Sequence, residues 1–170
     1  MLLHLIRHPR PLVAPGVCYG RLDIPAENAK SLASRLLAEL PPGLPVWSSP
    51  LRRCRELAGL LHPQPVIDGR LVEMDFGRWE GVAWDAIPRP ELDAWAADVA
   101  GYAPPGGESP LAVQRRALDF VASLRVSEAV VVTHGGVMRL LQAAADGRSI
   151  ADSLACRPGY GERLSLHFDP

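Results

Sequence analysis

Residues 129–136 read Ala-Val-Val-Val-Thr-His-Gly-Gly. The first four are apolar and mostly β-branched, a run that suits a strand buried on both faces at the centre of a sheet. The character then changes at once. Thr133 and His134 are polar, and Gly135-Gly136 lets the backbone approach a ligand closely where a helix begins. A helix is expected to continue from there through about Ala145.

The same pattern recurs on both sides of this stretch. Leu2 to Ile6 is a short apolar run that ends in Arg7-His8-Pro9, and Pro9 disfavours helix at His8. Leu44 to Trp47 reads as another strand, running into Ser48-Ser49-Pro50 and a helix over Leu51 to Leu61. Further helices are expected within 28–40, stopped by Pro-Pro-Gly, and from Glu108-Ser109 to about Leu124. Val66-Ile67 reads as a third, short strand, and Glu162 to Phe168 alternates as an edge strand would. Leu71 to Gly81 fits no clean period and is expected to be an irregular loop. Trp84 to Val99 is expected to hold one or two short helices broken at Pro88 and Pro90. Alternating strands and helices predict an α/β fold, a three-layer α/β/α sandwich around a mostly parallel sheet. No repeat or linker divides the chain, so residues 1–170 are expected to form one domain.

Composition narrows the functions available. The 170 residues carry 18 basic and 19 acidic side chains, interspersed, with a net charge near −1. Bulk electrostatics therefore point to neither nucleic acid nor membrane. Lys30 is the lone lysine, and arginine supplies the other positive charges, a bias that a GC-rich genome explains as readily as function does. Cys18, Cys54 and Cys156 are widely spaced and form no C-x-x-C pair, which argues against a disulfide framework or zinc site. The opening MLLHLIRHPRP is too short an apolar run for a signal peptide or membrane span, so a soluble, cytoplasmic protein is expected. Nothing in the sequence speaks to oligomeric state.

Three strand ends lead directly into reactive or cationic groups: Arg7-His8, the arginines beyond Ser48, and Thr133-His134. Open parallel sheets put ligand sites just outside the carboxyl ends of their strands. Arg52, Arg53 and Arg55 fall on the first turns of a helix, where positive charge opposes the macrodipole unless an anion binds; solvated arginines are the plain alternative. Glu73 and Asp75 share a loop with Phe76 and Trp79, a setting that suits a general acid, although a surface salt bridge would also account for either. Cationic donors, an imidazole nucleophile and a carboxyl acid are the parts that phosphoryl transfer needs. No G-x-S-x-G elbow and no P-loop are present, and His and Asp are too scattered for a binuclear metal hydrolase.

In that order the motifs resemble the histidine phosphatase superfamily, which includes cofactor-dependent phosphoglycerate mutase. LLHLIRHP resembles its opening strand and Arg-His-Gly signature, and SSPLRRCRELA its arginine-bearing helix. LVEMDFGRWEG resembles its Glu-bearing loop, and VVVTHGGVMRLL its late strand and second histidine. CYGRLDIP, EMDFGRWEG and PPGGES look most like the short bacterial branch that includes α-ribazole phosphatase, which acts late in cobalamin assembly. The resemblance implies a phosphoglycerate mutase-like fold and hydrolysis of a small phosphate monoester without metal or organic cofactor. It implies that His8 is the nucleophile and becomes phosphohistidine. It places phosphate binding on Arg7, Arg53 and His134 and the proton donor on Glu73, with Arg10, Tyr19 and Arg21 as further candidates for substrate contact. Two positions depart from the pattern. Pro9 stands where the signature has glycine, and Ala14 stands where the family often has a phosphate-binding Asn. They support an alternative, a non-catalytic binder of a phosphorylated ligand or partner. Mutase chemistry is the least favoured reading.

Overall fold

The computed structural model describes residues 1–168. Its sheet has five strands: β1 (Leu2–Arg7), β2 (Val46–Ser48), β3 (Val66–Ile67), β4 (Glu128–Thr133) and β5 (Arg163–His167). Their spatial order is β3-β2-β4-β1-β5. The apolar run of β4 occupies the middle position, as its composition requires, with Val130, Val131 and Val132 essentially free of solvent contact. β4 pairs in parallel with β1 on one side and β2 on the other, while β5 adds antiparallel to the outer edge of β1.

Strand alternation sends successive side chains to opposite faces, and each face builds its own core. Leu3, Leu5, Ala129 and Val131 point toward α4 (Pro110–Ser123) and α5 (Gly135–Ala145), where Val113, Phe120, Met138 and Leu141 meet them. Ile6, Val130 and Val132 point the other way, toward α1 (Lys30–Glu39) and α2 (Arg52–Leu61), with Leu36, Cys54 and Leu57. The result is the expected three-layer sandwich. A third, smaller cluster lies beyond the strand ends, where Cys18, Trp79 and Ile87 pack with Phe76, Trp84, Trp95 and Tyr102.

Local chemistry accounts for most boundaries. Ser109 caps α4 by accepting the Ala112 N–H, and Pro110 follows at the first helical position, where no N–H is needed. The segment 71–81 is irregular, with 3-10 turns at Gly69–Leu71 and Gly77–Trp79 on either side of Glu73. The expectation for Trp84 to Val99 needs correction. A 3-10 turn spans Trp84–Ala86, Pro88 stops it, and α3 then runs through Arg89–Ala97 with Pro90 inside its first turn. Pro90 does not break this helix, because a first-turn residue has no intrahelical acceptor for the N–H that proline lacks.

Candidate active site

β1, β2 and β4 all run in the same direction and end together, so the residues that follow them share one rim of the sheet. His8 follows β1 and is 2 % exposed, and its backbone N–H donates to the Thr133 carbonyl at the end of β4. The His8 and His134 rings meet edge to face with centroids 5.1 Å apart. Arg53, one residue into α2, is fully buried and donates from Nε to His8 Nε2 at 3.3 Å.

The tautomer of His8 follows from its other nitrogen. Nδ1 lies 2.7 Å from the Pro9 carbonyl oxygen, which can only accept, so Nδ1 carries the proton and Nε2 presents its lone pair. Burial first, then the nearby Arg53 and Arg7 charges, hold the His8 pKa down to about 3, although the Pro9 carbonyl opposes them. His8 is therefore a neutral imidazole at neutral pH, with its free electron pair on Nε2. Pro9 serves this arrangement through its carbonyl, a group that proline shares with every other residue. Ala14 lies exposed and off the cleft.

His134 is wholly buried, and its pKa is likewise driven well below the usual value by burial and then by His8 and the surrounding arginines. Ser49, just past β2, holds its Nε2 at 2.7 Å, and Cys54 Sγ lies 3.5 Å from the same atom. Arg7 donates from NH1 to the Pro158 carbonyl at 2.6 Å and lies 4.0 Å under the Tyr160 ring. Its Nε is buried with no hydrogen-bond partner among the described residues.

The two glycines after His134 make room for side chains. A Cβ at Gly135 would stand 3.1 Å from Arg7 Nε, and one at Gly136 would collide with the Glu73 carboxylate. That carboxylate accepts the Gly136 N–H at 3.0 Å and the Met74 N–H at 2.9 Å. Glu73 thus sits over the N-terminus of α5, where the helix dipole favours an acidic group. Asp75, its sequence neighbour, instead caps the Gly77 N–H at 2.8 Å and faces Arg21.

His8, Arg7, Glu73 and Tyr19 line one cleft of about 470 Å³. Arg53 and His134 do not line it but contact His8 from within the protein. Arg10 and Arg21 are also absent from its walls. Arg10 is exposed beside Glu27, and Arg21 reaches Asp75 and Glu108. The cleft also has an aromatic wall, with Phe76, Trp84 and Trp95 in contact; the two indoles stack at 5.8 Å and 12°.

Two side chains that motif reading left without a role hold the machinery through the backbone. The Glu80 carboxylate accepts the N–H groups of Gly20, Arg21, Leu22 and Phe76 at 2.9–3.2 Å. The carbonyls of Gly20 and Leu22, on the same loop, accept from the Arg53 guanidinium at 2.6 and 2.7 Å. Arg116 does the corresponding work for the Glu73 loop. It donates to the carbonyls of Arg70, Val72 and Glu73 and pairs with Glu108 at 2.8 Å. Glu80 lies inside the EMDFGRWEG motif, so its position was visible; its partners, about 60 residues away, were not.

A mostly parallel sheet whose strand ends bring together two histidines in contact, a buried Arg53 behind them, and Arg7 and Glu73 in the adjoining cleft has the parts that phosphoryl transfer needs. Residues 3–170 match the family model for the histidine phosphatase superfamily (branch 1), and the chain belongs to that family. Glucosyl-3-phosphoglycerate phosphatase of Mycolicibacterium vanbaalenii is 37 % identical over 72 % of this chain, which spans 61 % of that relative's length. Phosphoglycerate mutase from Thermus thermophilus superposes with a TM-score of 0.79 at 31 % identity, covering 99 % of this chain and 100 % of that one. The mycobacterial glucosyl-3-phosphoglycerate phosphatase structure gives 0.81 at 27 %, covering 96 % and 88 %. These neighbours bear out the phosphoglycerate mutase-like fold, and the phosphatase names among the relatives support phosphatase activity. Among the described residues, no helix is long and apolar enough to cross a membrane.

Proposed function

We propose that this protein hydrolyses small phosphate monoesters through a phosphohistidine on His8, without a metal ion. The observation that carries this reading is the state of His8: buried, neutral, with Nδ1 tied to the Pro9 carbonyl and the Nε2 lone pair aimed at Arg53. A buried neutral imidazole whose lone pair is held only by a 3.3 Å hydrogen bond from Arg53, a group that can turn to an incoming phosphoryl oxygen instead, suits a nucleophile.

In the first step His8 Nε2 attacks phosphorus and the bond to the alcohol oxygen breaks. Arg7 and Arg53 meet the phosphoryl oxygens, Arg53 exchanging its bond to Nε2 for one to the incoming group, and His134 donates an N–H. Glu73, entering protonated, gives its proton to the leaving alkoxide. In the second step Glu73 takes a proton from water as that water attacks phosphorus, and the P–N bond breaks to release inorganic phosphate and regenerate His8. The arginines supply the positive charge that a divalent ion brings elsewhere, which is the support for metal independence. Three free cysteines suit a reducing, cytoplasmic setting.

Base-quenched turnover of p-nitrophenyl phosphate, followed by mapping of the phosphoryl group, tests the proposal. Phosphate on His8, formed in excess chelator, is the expected result. Phosphate on a serine or aspartate, or activity that a divalent ion alone restores, overturns it. For the substrate, the stacked Trp84 and Trp95 favour a second, narrower reading in which a flat leaving group such as that of α-ribazole 5′-phosphate lies on the aromatic wall. Mutase chemistry would instead require a bisphosphorylated primer, and non-catalytic binding would leave p-nitrophenyl phosphate intact.

A further inference from the structure

Three buried side-chain nitrogens lack a hydrogen-bond partner among the described residues: Arg7 Nε, Trp95 Nε1 and Arg139 Nε. All three belong to side chains that line the cleft beside His8. Arg7 is accounted for by the phosphoryl group. Arg139 is not. It lies on α5, three and four residues beyond Gly136 and Gly135, so it shares their face of the helix, about 5 Å farther along the axis. Those glycines admit Glu73 and Arg7, and Arg139 therefore stands just past the proton donor, on the side the leaving alcohol must occupy. No hydrogen bond or ion pair among the described residues engages its Nε. The carboxylate nearest in sequence, Asp146, pairs with Arg148. Arg157 also lines the cleft, between Cys156 and Pro158 in the chain.

Charge sharpens the point. Arg7, Arg139 and Arg157 line the cleft with Glu73 as the sole carboxylate, and Arg53 adds a fourth guanidinium against His8. With Glu73 protonated for its part as donor, a phosphate dianion held by Arg7 and Arg53 leaves the other two guanidiniums, Arg139 and Arg157, unmatched. Guanidinium groups recognise carboxylate and phosphate through paired N–H donors.

Resting on the phosphatase reading above, we infer that the leaving alcohol carries a second anionic group, which Arg139 binds at the far end of the cleft. Arg139 is thus a specificity-determining residue, and an uncharged alcohol of the same length is a poor substrate.

A matched trio of substrates tests this: glycerol 3-phosphate, 3-phosphoglycerate and glycerol 1,3-bisphosphate share a three-carbon skeleton and differ in the far group. The expected result is that kcat/KM for at least one anionic member exceeds that for glycerol 3-phosphate by tenfold or more at low salt. The member preferred identifies the group as carboxylate or phosphate. In Arg139→Met that ratio falls to within twofold, whatever happens to the common rate, and in Arg139→Lys it is partly kept. Equal kcat/KM for all three, a preference for α-ribazole 5′-phosphate over both anionic members, or a ratio that survives Arg139→Met overturns the inference. p-Nitrophenyl phosphate separates the two levels of the argument, because its hydrolysis depends on the phosphatase reading alone. If it is not hydrolysed, calorimetric Kd values for the same trio carry the same ratio, with the same expected and overturning results.

Discussion

The two ends of the cleft are built on opposite terms. At the His8 end nearly every polar atom is engaged: His8 by Pro9 and Arg53, Arg53 by Gly20 and Leu22, His134 by Ser49, Glu73 by two backbone N–H groups. Backbone atoms do much of the holding, and the glycines at 135 and 136 exist to let two side chains through. Away from His8 the lining includes Trp84, Trp95, Phe76 and Arg139, and Trp95 Nε1 and Arg139 Nε have no partner among the described residues. The difference separates chemistry from choice. Under the proposed function, the first end acts on the phosphoryl group, common to all substrates, and the second meets only the alcohol. Substitutions of His8 and of the groups that hold it should lower turnover for every substrate alike, those of Glu73 should follow the leaving group's need for a proton, and those at the second end should reorder substrates by the rest of the alcohol.

The sharpest way to break that comparison is His8→Ala, for which turnover of every monoester should vanish in a steady-state assay while the thermal transition persists. Retained activity with any substrate would place the nucleophile elsewhere. Next in size is Glu73→Gln. General acid catalysis commonly contributes about 10²–10⁴-fold, and only where the leaving group needs a proton. Pre-steady-state phosphorylation by an alkyl phosphate should fall by about that factor, while phosphorylation by p-nitrophenyl phosphate is spared. Asp75→Asn should show no such dependence, because Asp75 caps Gly77 and faces Arg21. A leaving-group effect in Asp75→Asn alone would move the acid there.

Glu80→Ala probes the support rather than the chemistry. Losing one carboxylate that satisfies four N–H groups should cost roughly 1–3 kcal/mol of stability, read by urea titration. It should also lower kcat/KM about tenfold for all substrates by the same factor, since Arg53 loses its fixed loop. A drop for some substrates but not others would assign Glu80 to the alcohol end.

Acid should weaken the fold through the same histidine. The His8 pKa is about 3 in the folded chain and near 6.5 when unfolded, so below pH 6.5 the unfolded state binds the extra proton. Stability is then fully present above pH 6.5 and declines as the pH falls toward 3. His134, depressed in the same direction, adds to the slope. Urea midpoints between pH 7 and 4 should show the decline, and His8→Asn should flatten it; a midpoint independent of pH in the parent chain would contradict the burial argument. The smallest effect belongs to Pro9→Gly. Position 9 contributes a carbonyl to His8, and glycine has the same carbonyl, so turnover should stay within about tenfold, or 1.4 kcal/mol on the barrier. A large gain would mean that proline had been holding the site inactive.

The sequence alone determined the layers and the positions of the reactive groups. The β-branched run at 129–132 could be satisfied only with both faces covered, which put β4 at the sheet centre. His8 and His134 stood out because each follows a strand end, and Glu73 and Asp75 because their loop departs from any periodic pattern; the family resemblance singled out Glu73 from that pair and Arg53 from Arg52, Arg53 and Arg55. The break expected at Pro90 failed because a first-turn position and a helix interior look alike until the cap is located. What the tertiary structure decided were relations between residues far apart in the chain. Only folding brings the Glu80 carboxylate to the N–H groups of 20–22, aligns Arg116 under the Glu73 loop, and buries Arg53 against His8. Only folding puts Arg139 in the cleft wall with its Nε unpartnered among the described residues. Periodicity and capping are local and act through neighbouring residues, whereas desolvation and hydrogen-bond satisfaction depend on which distant groups close over a site, and no short stretch of sequence records them.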